Sequence, residues 1–161
     1  MVNKILTALV ICGFVSGCAS LYKPPASGPT ATLTVPNYNT FFGVIRGQVR
    51  IASKGQDGCG QLARIATDEI GKAEITVKIP ADQDQFVSIY YTVGLETCTL
   101  ALAFSPGQGK DYAMSYNIDR RMCHFEITEN GKKAEPQTVN LTRAYASLWD
   151  GIKICDSREK L

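Results

Sequence analysis

The chain has 161 residues, 45% hydrophobic and 20% charged, which is enough for one domain with its own core. Seventeen basic against fifteen acidic residues leave a formal charge of +2, too little single-sign charge for nucleic-acid binding or strong steering to an acidic partner. A single histidine, His124, excludes a histidine-clustered metal site by count and leaves carboxylate clusters as the remaining route; the expectation is no metal and no other cofactor.

Met1-Val2-Asn3-Lys4 is a short positive start, and Ile5 to Val15 is an uncharged apolar run that ends in the small residues Ser16-Gly17 before Cys18. This is the layout of an export signal over residues 1–17. Val15-Ser16-Gly17-Cys18 resembles the lipobox of bacterial lipoproteins. The resemblance implies that the Cys18 thiol is diacylglycerylated, that the peptide bond before it is cut, and that the new amine receives a further acyl chain such as palmitate. Residue 19 is Ala and not Asp, and Asp beside the lipidated cysteine is the familiar inner-membrane retention signal. The same resemblance therefore implies an outer-membrane lipoprotein, held there through acyl chains. An uncleaved membrane anchor competes, since no charge occurs from Ile5 to Tyr22, but Gly13, Ser16, Gly17 and Ser20 weaken a spanning helix.

Removing residues 1–17 from the 161 leaves 144, with a mature charge near +1 once Lys4 is lost. Residues 19–30 carry Pro24, Pro25 and Pro29 with two serines and a glycine, the composition of an extended, flexible tether. Residues 18–30 are thus expected to hold the domain, residues 31–161, up to roughly 35–40 Å from the bilayer.

From residue 31 the apolar positions alternate, the period of a half-buried strand. Strands are expected over 44–51, 74–79, 86–93, 97–104, 110–118 and 121–128, separated by turn signals at Gly94, Ser105-Pro106-Gly107-Gln108-Gly109, Asp119-Arg120 and Asn130-Gly131. Many short strands at this spacing predict an all-β protein, a sandwich or barrel. Residues 61–71 fit a helix or a strand with a loop, and 142–150 fit a short helix.

Leu102-Ala103-Phe104-Ser105-Pro106-Gly107-Gln108-Gly109-Lys110-Asp111-Tyr112 resembles the connection between strands E and F of immunoglobulin-like and fibronectin type III domains. The resemblance implies an immunoglobulin-like antiparallel β-sandwich in which this loop crosses between sheets and the Tyr112 hydroxyl returns to the loop backbone. A plain hairpin loop is the alternative.

Cys12 leaves with the signal and Cys18 carries lipid, so Cys59, Cys98, Cys123 and Cys155 remain, an even set suited to two disulfides in an oxidising compartment. In a flat meander Cys98 and Cys123 would stand two strands apart, about 9.5 Å, beyond the roughly 7 Å limit for a disulfide. A crossover at 105–109 lets them meet between sheets, which favours Cys98 with Cys123 and leaves Cys59 for Cys155. The other two connectivities stay open at this level.

Catalytic groups are sparse. His124 adjoins Cys123 on a strand, so the two side chains face opposite ways and form no nucleophile–base pair. Asp82-Gln83-Asp84 lacks the spacing of a calcium loop, and Gly58-Cys59-Gly60 and Gly107-Gln108-Gly109 read as turns rather than phosphate cradles. Arg46, Arg50 and Lys54 share one strand face that could meet a polyanion. Tyr38, Phe41 and Phe42, in Asn37-Tyr38-Asn39-Thr40-Phe41-Phe42-Gly43, are the candidate partner-binding surface, against the alternative that they begin the first core strand. The expectation is a non-catalytic binding or structural module of the cell envelope, whose partners are the membrane and an envelope protein or cell-surface polymer. An envelope inhibitor of a lytic enzyme or receptor is one alternative. A wall-glycan hydrolase using paired carboxylates is another.

Overall fold

A computed structural model describes residues 20–37, 45–65, 72–120, 122–134, 137–138, 145–147 and 151–156. Its strands are β1 (Thr30–Pro36), β2 (Ile45–Ser53), β3 (Cys59–Arg64), β4 (Glu74–Pro80), β5 (Gln85–Val93), β6 (Glu96–Phe104), β7 (Asp111–Asp119) and β8 (Met122–Glu129). The chain closes with β9 (Lys132–Lys133), β10 (Gln137–Thr138), β11 (Tyr145–Ser147) and β12 (Gly151–Cys155). Among the described residues there is no helix. The two uncertain segments resolve as strand where they are described: β3 takes up 59–64 and β11 takes up 145–147.

Two sheets form. One has the order β4-β1-β7-β8-β9, the other β10-β6-β5-β2-β3-β12-β11. Alternation explains the pairing of the layers: Leu33 and Val35 of β1, Ile75 and Ile79 of β4, and Tyr112, Met114 and Tyr116 of β7 are buried against Val49, Ile51, Val87, Ile89, Tyr91 and Leu102. Branched and aromatic side chains suit such a pleated surface and interdigitate across it. Tyr91 meets Tyr116 edge-on at 5.1 Å between ring centroids, and Phe104 meets Tyr112 at 5.4 Å, both pairs tying one sheet to the other. The β-sandwich is therefore as the alternation foretold. Two details differ: β1 and β7 run parallel, and the strand order is not the ABED/CFG partition of immunoglobulin constant domains.

The Ser105–Lys110 loop does carry the chain between sheets, from β6 to β7. Gly107 N donates to the Tyr112 hydroxyl at 3.0 Å, and that hydroxyl in turn donates to Glu129 Oε2 at 3.3 Å. A buried phenol thereby supplies an acceptor that the turning loop backbone otherwise lacks. At the Asn130-Gly131 turn both residues have positive φ, 47° and 77°, which suits the two-residue hairpin between β8 and β9.

A second cluster, Ala52, Leu62, Phe86, Ala101, Ala103 and Ile154, occupies the opposite face of the larger sheet. Gly60, expected in a turn, lies inside β3 beneath it. A Cβ there would fall 2.7 Å from Ser53 O and 3.1 Å from the Phe86 ring, so only glycine lets that ring lie on the sheet.

Both disulfides form as favoured. Cys59–Cys155 joins neighbouring strands β3 and β12, and Cys98–Cys123 joins β6 to β8 across the two sheets with Cα atoms 5.9 Å apart. The second sits where the sandwich is open at its side. β10 covers β6 only at Leu102 and Ala103, and β9 covers β8 only near Thr128 and Glu129, so the covalent bridge holds the remaining lips together.

The opposite side is closed differently. Ser20 and Tyr22, from the stretch read as a flexible tether, hydrogen-bond to Arg64, so that stretch is docked at its start rather than free.

Candidate functional site

The outer face of the smaller sheet carries a shallow cavity of about 360 Å³ lined by Ser115, Tyr116, Asn117, His124, Phe125, Glu126 and Lys133. Its floor follows from register: Ser115 stands opposite Glu126 and Asn117 opposite His124, all four exposed on the face away from the core. The lining offers donors and acceptors of both signs rather than one charge.

Beside this cavity runs an unpaired strand edge. Ala134 N donates to Ile127 O, so the Ile127 peptide groups point away from β7 toward β9. The two-residue period turns those of Phe125 and Cys123 the same way. Among the described residues no strand pairs with them on that side. Two N–H and two C=O groups thus stand ready for another strand, in a scaffold that the Cys98–Cys123 bridge keeps rigid at this point.

The residues singled out in the sequence fall elsewhere. Cys18 and residues 1–17, and Tyr38, Phe41 and Phe42, lie outside the described residues. Asp82-Gln83-Asp84 is a loop clasp: Asp82 Oδ1 accepts from Gln108 N at 3.3 Å, while Asp84 accepts the Ser105 hydroxyl and lies 3.7 Å from Lys54 Nζ. Lys54 also lies 3.5 Å from buried Asp156, so its charge is spent inside the fold rather than on an outward polyanion. Arg50 faces Arg64 across β2 and β3; burial, and then the Arg64 charge, lowers its guanidinium pKa. Asp57 is held below the usual carboxylate range by the Lys153 ammonium at 2.9 Å and by Cys59 N.

His124 is exposed, and its neighbour Cys123 is bound in a disulfide. Among the described residues no group of three His, Cys, Asp or Glu side chains is placed to hold a metal ion. No family model matches the chain, and no curated protein is significantly similar to it. The site therefore rests on its geometry alone.

Sequence reasoning read His124 as a surface residue near Glu126 and missed the edge beside it. The signal was present but faint: β8 is followed by a tight Asn130-Gly131 turn and then Pro136, which limits the length of strand that can return along β8.

Proposed function

We propose that this chain is an outer-membrane lipoprotein, anchored through acyl chains on Cys18, whose sandwich is a non-catalytic binding module that takes an extended segment of an envelope protein along β8. The observation that carries the binding reading is the open edge at Cys123 and Phe125 beside a cavity of mixed polarity. Strand addition of this kind draws affinity from main-chain hydrogen bonds and specificity from the alternate side chains. Ser115, Asn117, His124, Glu126 and Lys133 are placed to read those side chains. The lipobox and Ala19 support the anchor and its membrane.

A proline at 125 separates edge pairing from folding. The Phe125 N–H points outward, so Phe125→Pro removes an edge donor without breaking a bond to β7. Phe125→Ala controls for the half-buried ring. Photo-crosslinkers at Asn117 and Glu126 in intact cells should capture a protein partner, with capture lost in the proline variant and kept in the alanine variant. Equal capture by both, or capture of glycan or lipopolysaccharide alone, refutes strand addition. Cys18→Ser should leave an unprocessed precursor without lipid label, and normal processing of that variant refutes the anchor.

A further inference from the structure

Two residues after Cys18 the chain is already fastened to the domain. Arg64 N donates to Ser20 O at 2.9 Å and Tyr22 N donates to Arg64 O at 2.8 Å, so Leu21 bridges in parallel to the end of β3. The Tyr22 ring packs against the inter-sheet core, and its hydroxyl donates to Lys78 O at 2.9 Å. That carbonyl is an edge group: Thr32 N turns to Lys110 O, so its partner Lys78 presents its own peptide groups on the outer edge of β4. Tyr22 thus latches both sheets, one through its backbone and the other through its phenol, and burial pushes that phenol up to about 12.

We propose that this latch lays the β3/β4 side of the sandwich directly against a bilayer with anionic headgroups, in place of a domain swinging on a long tether. The proposal rests on lipidation of Cys18. From Cys18 to Ser20 the extended chain spans at most about 7 Å, far less than the roughly 35–40 Å that a free tether over residues 18–30 would reach. The surface around the latch suits headgroups. Leu21 is 49% exposed and has an apolar layer within reach, while Lys23, Lys72 and Lys78 are exposed, with Glu74 as the acidic exception on β4. Basic side chains within a Debye length of such a surface are drawn to it. Since β8 lies three strand spacings from β4 in the same sheet, roughly 14 Å, its open edge faces away from the membrane and toward a partner.

Neutron reflectometry on the full-length lipidated protein in supported bilayers of phosphatidylethanolamine and phosphatidylglycerol reads the height of the domain. Protein density should begin at the headgroups, and Tyr22→Gly should open a water layer of about 10 Å or more as the segment comes free. Hydrogen exchange in the same preparation should show protected Tyr22 and Arg64 amides that lose protection in Tyr22→Gly. Unprotected amides in the native protein overturn the latch. Protected amides beneath a resolved water layer leave the latch standing and overturn the membrane contact. An unacylated Cys18 by mass spectrometry overturns the lipoprotein reading and the orientation with it, whereas the exchange result still reports the latch.

Discussion

Removing the Cys98–Cys123 bridge should cost stability and loosen one side of the sandwich alone. The two cysteines are 25 residues apart in sequence, so in the chain-entropy account closing that ring removes about 3.5 kcal/mol of unfolded-state freedom. Cys59 and Cys155 are separated by 96 residues, which gives about 4.7 kcal/mol. The smaller ring is nested in the larger, and with Cys98–Cys123 in place the outer path shortens to roughly 70 residues, lowering the second figure to about 4.4 kcal/mol. Cys98→Ala/Cys123→Ala should therefore lower the urea midpoint by about 2 M at an m-value of about 1.5–2 kcal/mol/M, and Cys59→Ala/Cys155→Ala by somewhat more. Local opening distinguishes the two. Because β6 and β8 have little strand cover near the bridge, the amides of Leu100, paired to β5, and of His124 and Glu126, paired to β7, should exchange faster in the first variant and not in the second. A midpoint shift below about 0.5 M for the first pair, or faster exchange confined to β3, refutes the idea that the bridge holds open lips together.

Tyr112→Phe leaves Gly107 N without its acceptor and should cost about 1–3 kcal/mol, or roughly 3–10 °C in Tm by calorimetry, with the loss absent if the loop donor is satisfied by water. Acid should weaken two loop contacts. The Lys110 ammonium at 3.0 Å holds Glu129 below its ordinary 4.5, and Lys153 holds Asp57 below its ordinary 3.8. Both folded pKa values are depressed, so the unfolded chain binds protons first. Their contribution is present above about pH 4.5 and is lost as pH falls through the folded values. Urea midpoints measured downward from pH 5 should fall, and Asp57→Asn with Glu129→Gln should flatten that slope. An unchanged slope refutes the assignment to these two carboxylates.

The legible parts were those set by local pattern. Alternation at Tyr112, Met114 and Tyr116, and at Val87, Ile89 and Tyr91, marks strands because each residue shows one face to the core whatever strand lies beside it. β3 and β11 were less visible because a six-residue and a three-residue strand carry too few periods to separate strand from helix. The parallel pairing of β1 with β7, and the Tyr22 latch, join residues far apart in sequence and leave no local signature. The open edge of β8 escaped for a related reason: edge status belongs to the neighbours of a strand, not to the strand.

The cysteines divide between the two levels. Their even number after Cys18, and the impossibility of joining Cys98 to Cys123 in a flat meander, follow from covalent geometry and strand spacing, both readable from sequence. Lys54 shows the reverse case: the sequence put it on an outward strand face, whereas it follows the end of β2 and turns to Asp84 of a different loop and to Asp156, the residue after β12. Which charges meet, which edges stay open and which way the domain is turned from Ser20 onward depend on how distant segments close around one core. Side-chain period and chain chemistry are local properties and are written in the sequence, whereas adjacency is decided by packing, where each strand finds its place only in the presence of the others.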